Sequence, residues 1–135
     1  MILPLLNAIY AKFTGDSALT TAFPGGLHRD QAPEGTAMPY LVSQVVSSRI
    51  EYAYGGAHHG DAHVRFCAYG VGHDATGTLM QTFASHFDDA LLTLSSGTND
   101  SVTRLGEPAP VLKRHDAQGN DVWEWSVVYE YGVKF

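Results

Sequence analysis

The sequence predicts an α+β fold: a mostly antiparallel sheet of about four strands, with one long helix and an N-terminal helix packed on one face. Three observations lead there. Residues 121–133, DVWEWSVVYEYGV, place Trp123, Trp125, Val127, Tyr129, Tyr131 and Val133 on one side and Glu124, Ser126, Val128 and Glu130 on the other, the period of two of a strand. Residues 72–97 carry Leu79, Met80, Phe83, Phe87, Ala90, Leu91 and Leu94 as one helical stripe. The elements run helix, strand, strand, long helix, strand, strand, an order that suits a sheet with its helices gathered on one side. With 135 residues, the expectation is a single domain spanning 1–135.

Leu5, Leu6, Ile9, Tyr10 and Phe13 recur at helical spacing over residues 3–13. Pro4 suits the first turn, where its missing N–H costs nothing. Gly15 ends this helix, and Asp16 or Ser17 caps a short second one through Leu19 and Ala22. Residues 23–39, FPGGLHRDQAPEGTAMP, are rich in glycine and proline and read as a connector without a strand. YLVSQVVSSRIEY, residues 40–52, is β-branched and reads as a strand. YGGAHHG turns the chain, and residues 61–71 form its hairpin partner, with Val64 and Phe66 on one face and Cys67 and Tyr69 on the other. The long helix begins at an Asp74 cap and stops at Gly97. Residues 102–116, VTRLGEPAPVLKRHD, read as one strand interrupted by two prolines, which confines it to an edge or a bulge. AQGND turns into the last strand.

Composition narrows the function classes. Apolar residues make up 44% and charged residues 16%, the balance of a chain that buries a core. Eight basic against fourteen acidic residues give a net charge of -6 with no basic cluster. Gripping nucleic acid or an anionic membrane needs many Lys and Arg contacts, so both are disfavoured as partners. The single cysteine, Cys67, sits in an apolar strand pattern and reads as a small buried hydrophobe. No run approaches a membrane span, and the N-terminal apolar residues lack the basic start of a signal peptide. A reducing cytosol is the expected place of folding.

GGAHHGDAH, residues 55–63, is the densest set of metal-ligating side chains. His59 and His63 are four apart, but the flanking glycines argue against the helix that a zincin motif requires. In an extended chain His59, Asp61 and His63 share one face at spacings of about 7 Å, too far apart to converge on one ion without a bend. A polar hairpin tip is the favoured reading, and a small metal-binding or ligand-binding α+β enzyme using these three residues is the alternative. No G-x-S-x-G, P-loop or dinucleotide fingerprint is present, and the expectation is no enzyme, no catalytic residues and no cofactor. Asp88-Asp89 reads as a solvated helix face. The aromatic stripe Trp123, Trp125, Tyr129, Tyr131 reads as core, with a subunit interface as the next reading.

The stretch GGLHRDQAPEGTAMPYLVSQVV resembles the phage tail-terminator or tail-completion family of long-tailed phages and gene transfer agents. The resemblance rests on an N-terminal helix, the turn Gly25-Gly26, the segment Ala32-Pro33-Glu34-Gly35 and Pro39-Tyr40 opening the first strand. VRFCAYG at 64–70 and a long helix ending near Asp89-Ala90-Leu91 extend it over nearly the whole chain. It implies a homo-hexameric ring that caps the head-proximal end of a tail tube. Such a ring stops tube polymerisation and meets head-completion or neck proteins at the head-tail junction, after assembly in the host cytoplasm. DNA passes through the lumen unbound, and an acidic lumen would repel it. The polar residues at the hairpin end, Arg49, Glu51, Tyr52, Tyr54, His58 and His59, and Arg29 and Asp30 of the connector, are the candidate interface residues.

Overall fold

The computed structural model describes Met1–Phe135. Its elements are α1 (Ile2–Thr14), α2 (Ser17–Ala22), β1 (Leu27–Arg29), β2 (Tyr40–Glu51), β3 (His59–Val71), α3 (His73–Phe87), β4 (Thr98–Arg104), β5 (Ala109–His115) and β6 (Asp121–Lys134). The sheet is ordered β1-β2-β3-β6-β4, and β5 also lies against β6. Every pairing is antiparallel except that of β1 with β2. β4 takes the Tyr129–Lys134 half of β6 and β5 the Asp121–Ser126 half, one after the other along the same edge.

The α+β class, the antiparallel sheet and the helical layer are as the sequence predicts, but the strands number six rather than four. The connector holds β1, three residues that pair with Leu41–Ser43. The predicted single strand at 102–116 is two, parted around Gly106 (φ 91°), where the Leu105 amide bonds to the Val128 carbonyl at 2.8 Å. Neither strand buries a face that alternating residues could mark: β5 is exposed throughout and β4 nearly so. β5 stands at an edge, as its Pro110 requires.

The long helix is shorter than predicted. α3 ends at Phe87, ten residues before Gly97. Asp88 is extended and Asp89 left-handed (φ 55°). Tyr129 donates to Asp88 at 2.6 Å and Arg104 pairs with it at 3.3 Å, so tertiary contacts pull the chain out of the helix. Leu91 is therefore exposed, and Leu92 enters the core in its place. The residue preceding the helix is Gly72, not Asp74, which lies in the first turn. Asp16 does cap α2: its Oδ1 accepts from the Ala18 and Leu19 amides, while Oδ2 meets His86 of α3 at 2.6 Å.

One face of the sheet is covered by the helices. Leu41, Ala62, Val64, Phe66, Ala68, Val127, Tyr129 and Tyr131 supply the sheet side of the core. Leu5, Ile9 and Phe13 from α1, Leu19 from α2, and Met80, Phe83 and Phe87 from α3 supply the other. Each large side chain so buried contributes about 1.5–3 kcal/mol. Phe83 stacks on Phe87 at 4.3 Å and packs against Phe66 at 4.8 Å. The start of α3 is pinned by Trp125, whose indole N–H donates to the His73 carbonyl at 3.0 Å.

Gly77 lets α3 approach that indole. A Cβ there would come within 2.8 Å of Trp125 Cζ2. Gly77→Ala should therefore destabilise the chain by about 1–3 kcal/mol, against the usual helix gain from alanine. A urea titration checks this: a midpoint at or above that of the parent would show that the indole yields freely.

Candidate assembly interface

The other face of the sheet carries no helix. At its centre Glu124 joins β6 to both neighbours: Tyr69 of β3 donates to Oε1 at 2.8 Å and Lys113 of β5 pairs with Oε2 at 2.9 Å. Burial alone would raise the Glu124 carboxyl, but these bonds outweigh it and hold the group below its ordinary range. Cys67 lies beside it, 1% exposed, its thiol pushed up to about 12 by burial and by the Glu124 charge. It is the buried small hydrophobe that the strand pattern predicts. Tyr40 stacks on Tyr69 at 5.1 Å, and His63 meets Glu130 at 2.7 Å.

β2 is the edge strand of this sheet for most of its length. β1 covers only Leu41–Ser43, leaving Gln44–Glu51 without an outer neighbour. Residues 46–51 are all exposed, including Val46 and Ile50. Val46 is an extra residue in the ladder, a β-bulge between Val45 and Ser47. The direction of the backbone groups beyond it follows from the far end of β3. His58 and Phe135 exchange both backbone bonds, at 2.8 and 3.0 Å. Even-numbered residues of β3 thus bond to β6 and odd-numbered ones to β2. Ser48 and Ile50 stand opposite Ala62 and Gly60, so their amides and carbonyls point out of the sheet.

The eight predicted interface residues border this edge without forming one cluster. Arg29 and Asp30 lie where β1 stops. Arg29 donates to Asn7 at 2.7 Å, and the Asp30 amide bonds to Ser43 as the chain turns away (φ 61°). Arg49 and Glu51 sit on the open half, where Arg49 reaches Glu51 at 3.2 Å and Asp61 at 3.4 Å. Arg49 is six residues from Ser43, about 20 Å along the strand. Tyr52 and Tyr54 extend past the strand and are exposed, Tyr54 completely. His58 and His59 are not free tip residues. The His58 ring is packed between Tyr52 and Phe135 at 4.8 and 5.8 Å, and His59 meets Asp100 of β4 at 3.1 Å.

The predicted face of His59, Asp61 and His63 exists, because β3 begins at His59. The three do not converge: His59 turns to Asp100, Asp61 to Arg49 and His63 to Glu130. Asp88 is no solvated helix residue but the link between Tyr129 and Arg104. The aromatic stripe divides, with Tyr129 and Tyr131 fully buried and Trp123 and Trp125 half-buried. Sequence reasoning missed Glu124 and Lys113 as a pair, and it missed Ser48 and Ile50. No local pattern marks a strand as lacking a neighbour.

Residues 7–117 match the family described as Tail completion protein gp17. The fold is similar to a chain from the virion of a native gene transfer agent particle. That likeness has a TM-score of 0.69 and 14% identity and covers 96% of this chain and 93% of that one. A second solved protein is similar with a TM-score of 0.54 and 12% identity, over 97% of this chain and 96% of its own. At such identities the likeness is one of fold. No curated protein matches the sequence.

The depressed Glu124 carboxyl sets a pH dependence. Its stabilising contribution is complete above the ordinary value of 4.5 and is lost as pH falls through the folded value. Glu124→Gln should cost about 1 kcal/mol at neutral pH, since one partly exposed ion pair and its hydrogen bond are weakened. The gap to the parent should close only as pH falls through the lower folded value, below which the folded parent is protonated as well. Denaturation series at several pH values check this, and a gap independent of pH would refute the charge argument.

Proposed function

Because the chain belongs to the family of tail completion proteins gp17, and so has a structural role in a phage-like tail, we propose that it forms a hexameric ring on the head-proximal end of the tail tube. The ring ends the addition of tube subunits and offers the surface to which head-completion or neck proteins join. The observation that carries this reading is the family match, which runs from residue 7 to residue 117. The open edge of β2 and its exposed tip, Tyr52 and Tyr54, are in keeping with it, because a chain that ends a polymer needs surface reserved for neighbours. Assembly in the host cytoplasm and a position at the head-tail junction belong to the same proposal.

The role is architectural. Of the eight basic residues, Arg49, Arg104 and Lys113 are already paired with carboxylates of the chain. With a net charge of -6 and few unpaired basic side chains, the chain has little with which to grip a phosphate backbone. We expect DNA to pass through the lumen unheld, and the purified chain should not retard double-stranded DNA on a gel even at low salt. Retention that weakens with added salt would contradict this part of the reading.

Disruption of the gene in a particle-producing host, followed by electron microscopy, tests the whole. Overlong tubes, or finished tails that never join heads, are expected. Normally joined particles of normal tail length would overturn the proposal.

A further inference from the structure

The open edge of β2 has a counterpart on the same molecule. β4 is the opposite border of the sheet, and its outer side makes no backbone bond to the 88–97 segment beside it. Even-numbered residues of β6 bond toward this side, as the Leu105 amide on the Val128 carbonyl shows. Val102 lies opposite the odd-numbered Tyr131, so its backbone groups point outward, whereas Asn99, opposite Val133, is covered by the 88–97 segment, whose Leu92 amide donates to the Asn99 side chain at 2.9 Å. Resting on the ring reading, we propose that β4 of one copy adds to the open half of β2 of the next, so that the sheet continues from copy to copy around the ring.

Four features support this occupant. The first is sense. β2 runs antiparallel to β3, β3 to β6 and β6 to β4, so β2 and β4 are antiparallel and a head-to-tail repeat brings them together as an ordinary antiparallel pair. The second is level. Ser48 faces Ala62, which faces Tyr131, which faces Val102; Ile50 leads through Gly60 and Val133 to Asn99 in the same way. Ser48 thus stands level with the outward Val102, with no slide along the strands, while the Ile50 level meets Asn99, which Leu92 covers within its own copy. The third is charge. Arg49 leads through Asp61 and Gly132 to Ser101, beside which Asp100 is the bulged residue of β4. A cation on one edge thus stands level with a carboxylate on the other, although within one copy Arg49 already reaches Glu51 and Asp61 and Asp100 meets His59.

The fourth is that β5, the other strand on that border, is blunted. Pro110 stands opposite Trp125, a position whose backbone points outward, and a proline there offers no N–H. Lys113, Arg114 and His115 follow it. β2 and β4 each carry a bulge, at Val46 and Asp100, but no proline removes an outward N–H from either. The contact is heterologous, the kind that closes a ring rather than a two-fold dimer.

Cysteines at Ser48 and Val102 test the register. Opposed residues of a hydrogen-bonded antiparallel pair have Cα atoms about 5.5 Å apart, within disulfide range. The purified Ser48→Cys/Val102→Cys chain, oxidised and run on a non-reducing denaturing gel, should give a ladder ending in a covalent hexamer. Ser48→Pro should keep the parent's circular dichroism, because that amide makes no bond to β3, and should lose the hexamer in native mass spectrometry. A hexamer without cross-links, persisting in Ser48→Pro, would overturn the edge contact and leave the ring standing. Dimers from Ser48→Cys alone would mean that two β2 edges pair with each other, against the proposal. A parent chain that stays monomeric over a concentration series and in assembled particles would remove the ring reading itself.

Discussion

β6 is paired along both edges, with only a short break on one of them at Val127–Val128, where the Leu105 amide meets the Val128 carbonyl, and the rest of the molecule is arranged around that fact. One edge is filled by β3 from Val71 to His59. The other is shared by β5 and β4. A strand paired on both sides has no backbone group left to satisfy, so its side chains can be buried or half-buried on the helix face without cost from the main chain. Val127, Tyr129 and Tyr131 use that freedom as the floor on which α1 and α3 rest. The Tyr131 hydroxyl finds no partner there, a polar atom tolerated because the ring around it packs against so much apolar surface.

The helix-free face is held by a different logic. It is tied by paired side chains spread across the strands, Tyr69 and Lys113 on Glu124 and His63 on Glu130, rather than by a second apolar layer. Partly exposed pairs of this kind add little stability each. They do align strands: Lys113 can reach Glu124 only when β5 is seated beside β6. Stability resides mainly in the helical layer, and the open face and edges are left with polar groups suited to water or to another chain.

The turn motifs on which the family resemblance rests acquire a physical meaning in the fold. Gly25-Gly26 and Pro39-Tyr40 are far apart in sequence and touch in space. The Gly25 amide bonds to the Pro39 carbonyl at 3.1 Å, and the Leu41 amide to the Gly26 carbonyl at 2.9 Å. A Cβ on Gly25 would collide with the Ala37 carbonyl and with Tyr40. The glycine is there because two backbones meet, and that meeting sets β1 beside β2. The same contact decides how far β1 reaches, and hence where the open edge begins.

Periodicity alone determined the α+β class, the β2–β3 hairpin, the last strand and the buried sides of α1 and α3, because each long amphipathic element writes its own period into consecutive residues. Asp16 was legible as a cap for the same reason: its partners lie two and three residues away. The tertiary structure decided what depends on distant residues. Asp88 ends α3 because Tyr129 and Arg104 hold it, and nothing within the helix announces that. β1 is too short to show a period, β4 and β5 bury almost no face that could write one, and all three exist because a longer neighbour offers them an edge. His58 and His59, which in sequence belong to a polar tip, are fastened to Phe135 and Asp100. The candidate interface was legible as a region, since its residues are polar or exposed in pattern. Its open edge was not, because a missing neighbour is a property of the whole sheet and no stretch of sequence contains it.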